Sequence, residues 1–171
     1  MGCRQASPPK LISTSASTTL SSRNPMRAAK FGAVTAAIGT VIATYLLAIR
    51  YAGIPAICGP ALGPFGGCAK VEASVYSSIG PIPIALVGVV GSAVLLASSL
   101  HYLRTRSMVS LNIWVLASVV GAAIELVLIA IQAFAIGAWC GWCLLYGLTV
   151  ILSAGAALIA AAQAERGSAP R

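Results

Sequence analysis

Ala138-Trp139-Cys140-Gly141-Trp142-Cys143 opens a run that carries no charged residue through position 162. Two cysteines separated by two residues are dithiol and disulfide partners for each other. On a helix, positions three apart share a face, so both sulfurs would point the same way. A helix N-terminus also stabilises a thiolate, which makes such a pair redox-active rather than inert. The rest of the chain has to account for this chemistry at the head of a long apolar segment.

The 171 residues are 58% hydrophobic and 8% charged, with a mean hydropathy of +0.93. A soluble domain carries about 25% charged residues. The composition is that of a membrane protein, and the length allows one compact domain. The formal net charge is +8. A nucleic-acid partner is rejected, because the basic residues are spread over several segments with few aromatics beside them. Of the five cysteines, Cys58 and Cys68 form one close pair, Cys140 and Cys143 another, and Cys3 is left over. Leu144 follows Cys143, so no haem-attachment motif is present.

Four spans are expected, at about 31–49, 81–100, 109–136 and 139–162, and each has the reach to cross a hydrocarbon core. Gly and Ala are frequent in all four, which allows close helix contact. Pro81 and Pro83 are read as the first helical turn of the second span. The 52–80 loop is rich in Gly and Pro, and its 69–78 part is expected to be a short helix lying on the membrane. Residues 1–29 read as a basic, Ser/Thr-rich disordered tail. A cleavable organelle transit peptide has the same composition. Residues 30–163 form the four-helix bundle and 164–171 a second tail. The fold class is therefore all-α: a four-transmembrane-helix bundle with a cysteine-bearing extracytoplasmic loop between helices 1 and 2.

With four spans, both tails and the 101–106 turn share one side. That side holds Arg4, Lys10, Arg23, Arg27, Lys30, Arg104, Arg106, Arg166 and Arg171, nine of the eleven basic residues. The other side has only Arg50 and Lys70. The positive-inside rule makes both termini cytoplasmic. The loop and the start of span four then face outward together, and all four paired cysteines meet in one oxidising compartment.

A disulfide closes easily between Cys58 and Cys68, ten residues apart in a Gly-rich loop. It could be a structural staple. A second pair at the same face also allows thiol–disulfide exchange between the pairs. Trp139-Cys140-Gly141 and Cys143 echo a thioredoxin active site, but the alternating strands and helices of that fold are absent. Zinc held by four thiolates and an inert buried pair are the other readings. No metal site is expected, since no His or Asp accompanies the cysteines. A dithiol that turns over at the lip of a membrane bundle needs a lipid-soluble two-electron acceptor, which suggests a quinone. Trp139, Trp142, Tyr146, Phe134 and Tyr76 could line its pocket.

Gly67-Cys68-Ala69-Lys70-Val71-Glu72-Ala73-Ser74-Val75-Tyr76-Ser77, then Gly80-Pro81-Ile82-Pro83, closely resembles the bacterial homologues of vitamin K epoxide reductase. So does Gln132-Ala133-Phe134-Ala135-Ile136-Gly137-Ala138-Trp139-Cys140-Gly141-Trp142-Cys143. The resemblance covers roughly 30–163. It implies a four-helix bundle around a quinone of the ubiquinone or menaquinone/phylloquinone class, oxidising thiols as the quinone is reduced. It implies that Cys143 is the quinone-side cysteine and Cys140 its partner. Cys68 resembles the loop cysteine that attacks Cys140, and Cys58 the one that meets the outside thiol donor. Ser74 matches a serine near the quinone site, and Tyr76 falls where an aromatic is usual.

The resemblance also has departures. The animal enzymes carry a tyrosine four residues after the second cysteine of the C-x-x-C; here that position is Gly147, with Tyr146 beside it. Epoxide reduction and vitamin K specificity are therefore not implied. Many bacterial members continue into a fifth span and a fused thioredoxin-like domain. This sequence runs to Arg171, so the expected redox partner is a separate periplasmic thioredoxin-fold protein. Glu125 sits in the middle of span three, where a carboxylate is costly and faces the bundle interior. It is a candidate proton donor for quinone reduction, or a protonated glutamate bonded to a hydroxyl on another span. His101 lies far from the thiols and is given no catalytic role. The expected protein is a multi-pass thiol oxidoreductase of the bacterial inner membrane, surrounded by lipid. The alternative is a non-enzymatic four-span protein with structural disulfides.

Overall fold

Apolar side chains on all sides of a long helix leave it two environments, protein and lipid, and four helices here have that character. A computed structural model of the chain describes residues 25–58 and 65–168. The helices long and apolar enough to cross a membrane are Pro25–Ala52, Ile84–Thr105, Met108–Ile136 and Gly141–Arg166. Helix α1 is Pro25–Ala52, α2 is Cys68–Glu72, α3 is Ile84–Thr105, α4 is Met108–Ala130 and α5 is Gly141–Ser168. Helix α1 packs along α3 and α5, and α4 closes against α5 and α3. Val41, Val90, Leu116 and Leu126 point outward, where a bilayer would cover them. Polar residues within the spans bond back to their own helix, as Ser92 does to Gly88 O and Ser98 to Val94 O.

The end of the bundle away from the cysteines is tied by Trp114. Its ring is fully buried and lies over Gly32 of α1, where a Cβ would overlap Cζ2. Its Nε1–H donates to Ser153 Oγ of α5 at 3.1 Å. One side chain of α4 thus fixes the spacing of two other helices. Gly32→Ala is expected to destabilise the bundle by about 1–3 kcal/mol, because a buried indole cannot swing away. Thermal denaturation of the purified protein checks this, and an unchanged midpoint would contradict the packing.

Several expected boundaries move. Helix α1 starts at Pro25 rather than at 31, so residues 25–29 are helical and do not belong to a disordered tail. Proline suits the first helical position, and Met26, Arg27, Ala28 and Ala29 are compatible with helix. The rest of the basic tail, with Cys3, lies outside the described residues. Helix α5 runs on to Ser168, past 162, through good helix formers such as Ala, Gln and Glu. The helix expected over 69–78 is shorter: α2 ends at Glu72, and a single 3-10 turn, Val75–Ser77, follows. Pro81 and Pro83 are not in the first turn of α3. They belong to a two-stranded hairpin, β1 (Ser78–Ile79) on β2 (Ile82–Pro83), with Ser78 opposite Pro83. Gly80, at φ +59°, takes the first central position of its two-residue turn. Pro81 in the second position cannot adopt a positive φ, so only the II′ geometry fits.

The third span also ends differently from its start. Ile131–Ile136 widens into a π-helical turn that stops at Gly137, φ +62°. A wider turn rotates the side chains beyond it, and such irregularities occur often at functional sites.

Candidate functional site

The site is built where the 65–68 segment lies across the entrance to α5. Gly66 and Cys140 pair as an antiparallel bridge, and the Gly67 N–H donates to Trp139 O at 3.0 Å. Gly67 is required for this approach: a Cβ there would stand 2.9 Å from Ala138 Cβ and 3.2 Å from Trp139 N. Gly141 faces Phe65 O at 3.4 Å in the same way. Gly67→Val is expected to lift the segment off Trp139 and to destabilise the protein by about 1–3 kcal/mol. A lowered thermal midpoint, with faster alkylation of Cys140, checks it.

Cys140 does not sit inside the helix. It immediately precedes α5, and its sulfur accepts the Cys143 backbone N–H at 3.2 Å, where a capping oxygen would otherwise stand. The pair still faces one way, because the cap bends the first cysteine over the first turn. The hydrogen bond from the Cys143 thiol, joined by backbone N–H groups of Cys143 and Trp142, holds the Cys140 thiol below the ordinary cysteine range. The backbone of Cys140 is fixed from the other side: its N–H donates to Gln132 Oε1 at 2.9 Å. Gln132 belongs to the π-helical turn, whose geometry brings the carboxamide to this point.

Cys58 and Cys68 are joined by a disulfide with Cα atoms 6.1 Å apart, whereas Cys140 and Cys143 are free. Cys68 and Cys140 are each 2% exposed. The Cys58 end of the loop is also held by α5. Trp142 Nε1–H donates to Ile57 O at 3.2 Å, the Ile57 N–H reaches Tyr45 Oη at 3.4 Å, and the two rings lie 5.1 Å apart. Both loop cysteines are therefore anchored to the segment that carries the C-x-x-C.

Beneath this junction lies a cavity of about 420 Å³ with mostly apolar walls, running between α1, α3, α4 and α5. Cys68, Cys140 and Cys143 stand at its loop end, and Glu125 and Tyr146 line it further in. The candidates Ser74, Tyr76 and Tyr146 all reach its wall, but Phe134 and Trp139 do not. Phe134 is 91% exposed on the outside of the π-helical turn, two residues past inward-facing Gln132 and so on the opposite face of the helix. Trp139 contributes its carbonyl to the loop bridge instead. Ser74 Oγ–H is engaged by Val71 O at 2.6 Å and Tyr146 Oη–H by Gly88 O at 2.9 Å. Arg50 reaches Glu72 O at 3.4 Å and holds α2 over the cavity mouth. Gly147 faces the carboxyl of Glu125, whose Oε2 would lie 3.1 Å from a Cβ there. The position where the animal enzymes have a tyrosine is thus open to a carboxyl from α4.

Gln132 and Tyr45 are positioning residues that sequence reasoning did not assign, and Trp142, expected at the pocket, does not line the cavity but anchors Ile57 instead. A polar residue inside an apolar span was the available signal for Gln132. Nothing in the sequence pairs Tyr45 with Ile57. Among the described residues, no group of three His, Cys, Asp or Glu side chains could hold a metal.

The arrangement suits disulfide exchange at one end of an apolar cavity. The model of one family, the Vitamin K epoxide reductase family, matches residues 31–158. No curated protein and no solved structure matches the chain.

Proposed function

This chain belongs to the vitamin K epoxide reductase family, and on that premise we propose that it is a quinone-dependent thiol oxidoreductase that generates disulfides for a thioredoxin-fold carrier. The observation that carries the reading is the bridge of Gly66 on Cys140, with Cys68 and Cys140 on the wall of one apolar cavity. The cavity fits a quinone: it lies in the common size range of ligand pockets, its walls are apolar, and a few polar groups converge on it. Leu95, Val120, Ile124 and Leu128 would hold the ring or tail, with Ser74, Tyr76 and Tyr146 at the polar edge.

The steps on the protein are exchange reactions. A thiolate of the carrier attacks Cys58, the less buried member of the loop pair. The Cys58–Cys68 bond breaks, a carrier–Cys58 bond forms, and Cys68 leaves as a thiolate. The carrier's second thiol attacks its own sulfur in that bond, closing the carrier disulfide and freeing Cys58. Cys68 then attacks Cys140 of an oxidised C-x-x-C, and Cys143 leaves. Cys58 resolves the Cys68–Cys140 bond, so the loop disulfide returns and the C-x-x-C is a dithiol. That is the pattern of one disulfide and two free thiols described above. A quinone, when bound, supplies the two-electron, two-proton acceptor that lets this dithiol close again.

The test is dithiothreitol-driven reduction of ubiquinone-1 and of a short-chain menaquinone by the purified chain. One quinol per dithiol, over many turnovers, is expected. A single reduction of the loop disulfide without quinol would instead favour the non-enzymatic reading.

The chain is a multi-pass membrane protein by its four apolar helices. We assign it to the bacterial inner membrane on its resemblance to the bacterial homologues, and orient it with cytoplasmic termini and periplasmic cysteines on the nine-to-two distribution of basic residues. An impermeant maleimide added to reduced intact cells is expected to label the paired cysteines, and tags at either terminus to report cytoplasm. A periplasmic terminus would overturn the orientation.

A further inference from the structure

Two side chains more than nine-tenths buried turn unpartnered polar atoms toward the cavity. Glu125 is 8% exposed and Gln132 4%, and both line the cavity wall. The Gln132 Oε1 is occupied by the Cys140 N–H, which assigns the other branch of the carboxamide as NH₂. That NH₂ has no hydrogen-bond partner among the described residues, and neither has the carboxyl of Glu125. The nearby hydroxyls of Ser74, Tyr146 and Ser92 already donate to backbone carbonyls. Among the described residues the one fully enclosed side-chain polar atom without a partner is Gln163 Oε1; the polar atoms of Glu125 and Gln132 are open to the cavity instead, and in an apolar setting a group left without a partner is costly. Here both stand in one cavity, seven positions apart on one continuous helical segment, about 10 Å along its axis. Gln132 is at the cysteine end, and Glu125 is the deeper group, facing Gly147.

Resting on the functional reading above, we propose that Glu125 and Gln132 are the two polar ends of a slot for a flat ring bearing an oxygen at each end. The Gln132 NH₂ donates to the oxygen near the thiols, and the Glu125 carboxyl donates to the far one. A neutral carboxyl is the form a hydrocarbon interior admits at least cost, and it carries the O–H that a carbonyl oxygen needs. The spacing selects para-oriented oxygens: an oxygen pair on adjacent ring carbons leaves one of the two groups unpaired. Gly147 keeps the deep end open, since a side chain there would meet the carboxyl.

The test uses the full chain in lipid nanodiscs, with both cysteine pairs oxidised so that no turnover occurs. The probes are 2,3-dimethyl-1,4-naphthoquinone and its oxygen-free counterpart, 2,3-dimethylnaphthalene. Glu125→Leu is expected to weaken naphthoquinone binding by about tenfold or more and to leave naphthalene binding unchanged, the loss of one buried hydrogen bond. Glu125→Gln, which keeps a donor, stays within a few-fold of wild type. In infrared difference spectra the wild-type carboxyl C=O band shifts to lower frequency when the naphthoquinone is added, and Glu125→Gln abolishes that shift. Unchanged naphthoquinone affinity in Glu125→Leu, or a carboxyl band that does not move, overturns the proposal even if both variants fold. A wild-type protein that reduces no quinone with dithiol overturns the functional reading itself. Turnover in wild type with unaltered binding in Glu125→Leu overturns the slot alone.

Discussion

Cys143→Ala is expected to lower dithiol-driven quinone reduction by about a thousandfold or more, as removal of a reacting nucleophile does elsewhere. The reasoning begins with position. Cys143 is in the first turn of α5 and on the cavity wall, so alanine there leaves the cavity and the loop bridge intact. Cys140 keeps its bond from Gln132 and its place beside Gly66. What is lost is the second sulfur, and without it no C-x-x-C disulfide can form. Cys140 can then pass through a mixed disulfide but cannot return two electrons to an acceptor. Cys140→Ala gives the same loss for the complementary reason. Cys58→Ala separates the two pairs: oxidation of a protein carrier stops, while a small dithiol that reaches Cys140–Cys143 directly retains part of the rate. The measurement is quinol formation by purified variants at matched thermal stability. Full turnover in Cys143→Ala would remove this residue from the reaction, and with it the proposed relay through two pairs.

The sequence carried the four-helix architecture because hydropathy is summed over many residues. Four apolar runs do not depend on any one contact. The convergence of Cys58, Cys68, Cys140 and Cys143 at one end of the bundle followed from the parity of the spans. The site was less legible where backbone irregularity decides direction. Phe134 lies nine positions past Glu125, so a regular helix already turns its ring to the opposite, outward face, and the π-helical turn at Ile131–Ile136 leaves it there. The same turn brings Gln132 to the Cys140 N–H, a contact that no motif spacing encodes. Cys140 was read as helical, and a backbone bridge to Gly66 pulls it out of the helix instead. The Tyr45–Ile57–Trp142 anchor joins residues far apart in the chain and leaves no local signature. Pro81 illustrates a third case. Proline suits both a first helical turn and a tight hairpin, and Gly80 before it, free to adopt φ +59°, decides for the hairpin.

Cys58→Ala is also expected to accumulate a Cys68–Cys140 disulfide with Cys143 free, as the dominant species once quinone has oxidised the C-x-x-C. In that variant Cys68 has no loop partner, so its thiolate attacks Cys140. One S–S bond breaks, one forms, and Cys143 takes the proton as a thiol. No oxidant is consumed, so the step depends on geometry and on the relative stability of two disulfides. Geometry is favourable. The antiparallel bridge holds Gly66 against Cys140, and Cys68 is two residues on, buried on the same cavity wall. A disulfide requires Cα atoms within about 7 Å, and Cys68 is no longer drawn toward position 58. On the proposed relay the wild type escapes this state because Cys58 attacks Cys68 and returns the loop disulfide. Removing that resolving thiol leaves only reversal by Cys143. Non-reducing peptide mapping by mass spectrometry reads the outcome, and Cys58→Ala with Cys143→Ala, treated with a mild oxidant, blocks the reversal. Recovery of an intact Cys140–Cys143 bond beside free Cys68 in the first variant, with no Cys68–Cys140 bond in the second, would mean that the sulfurs do not meet. The loop disulfide would then be a staple. Recovery of the cross-link would show instead that the segment pinned by Gly66 and Gly67 is the track along which electrons pass from loop to bundle.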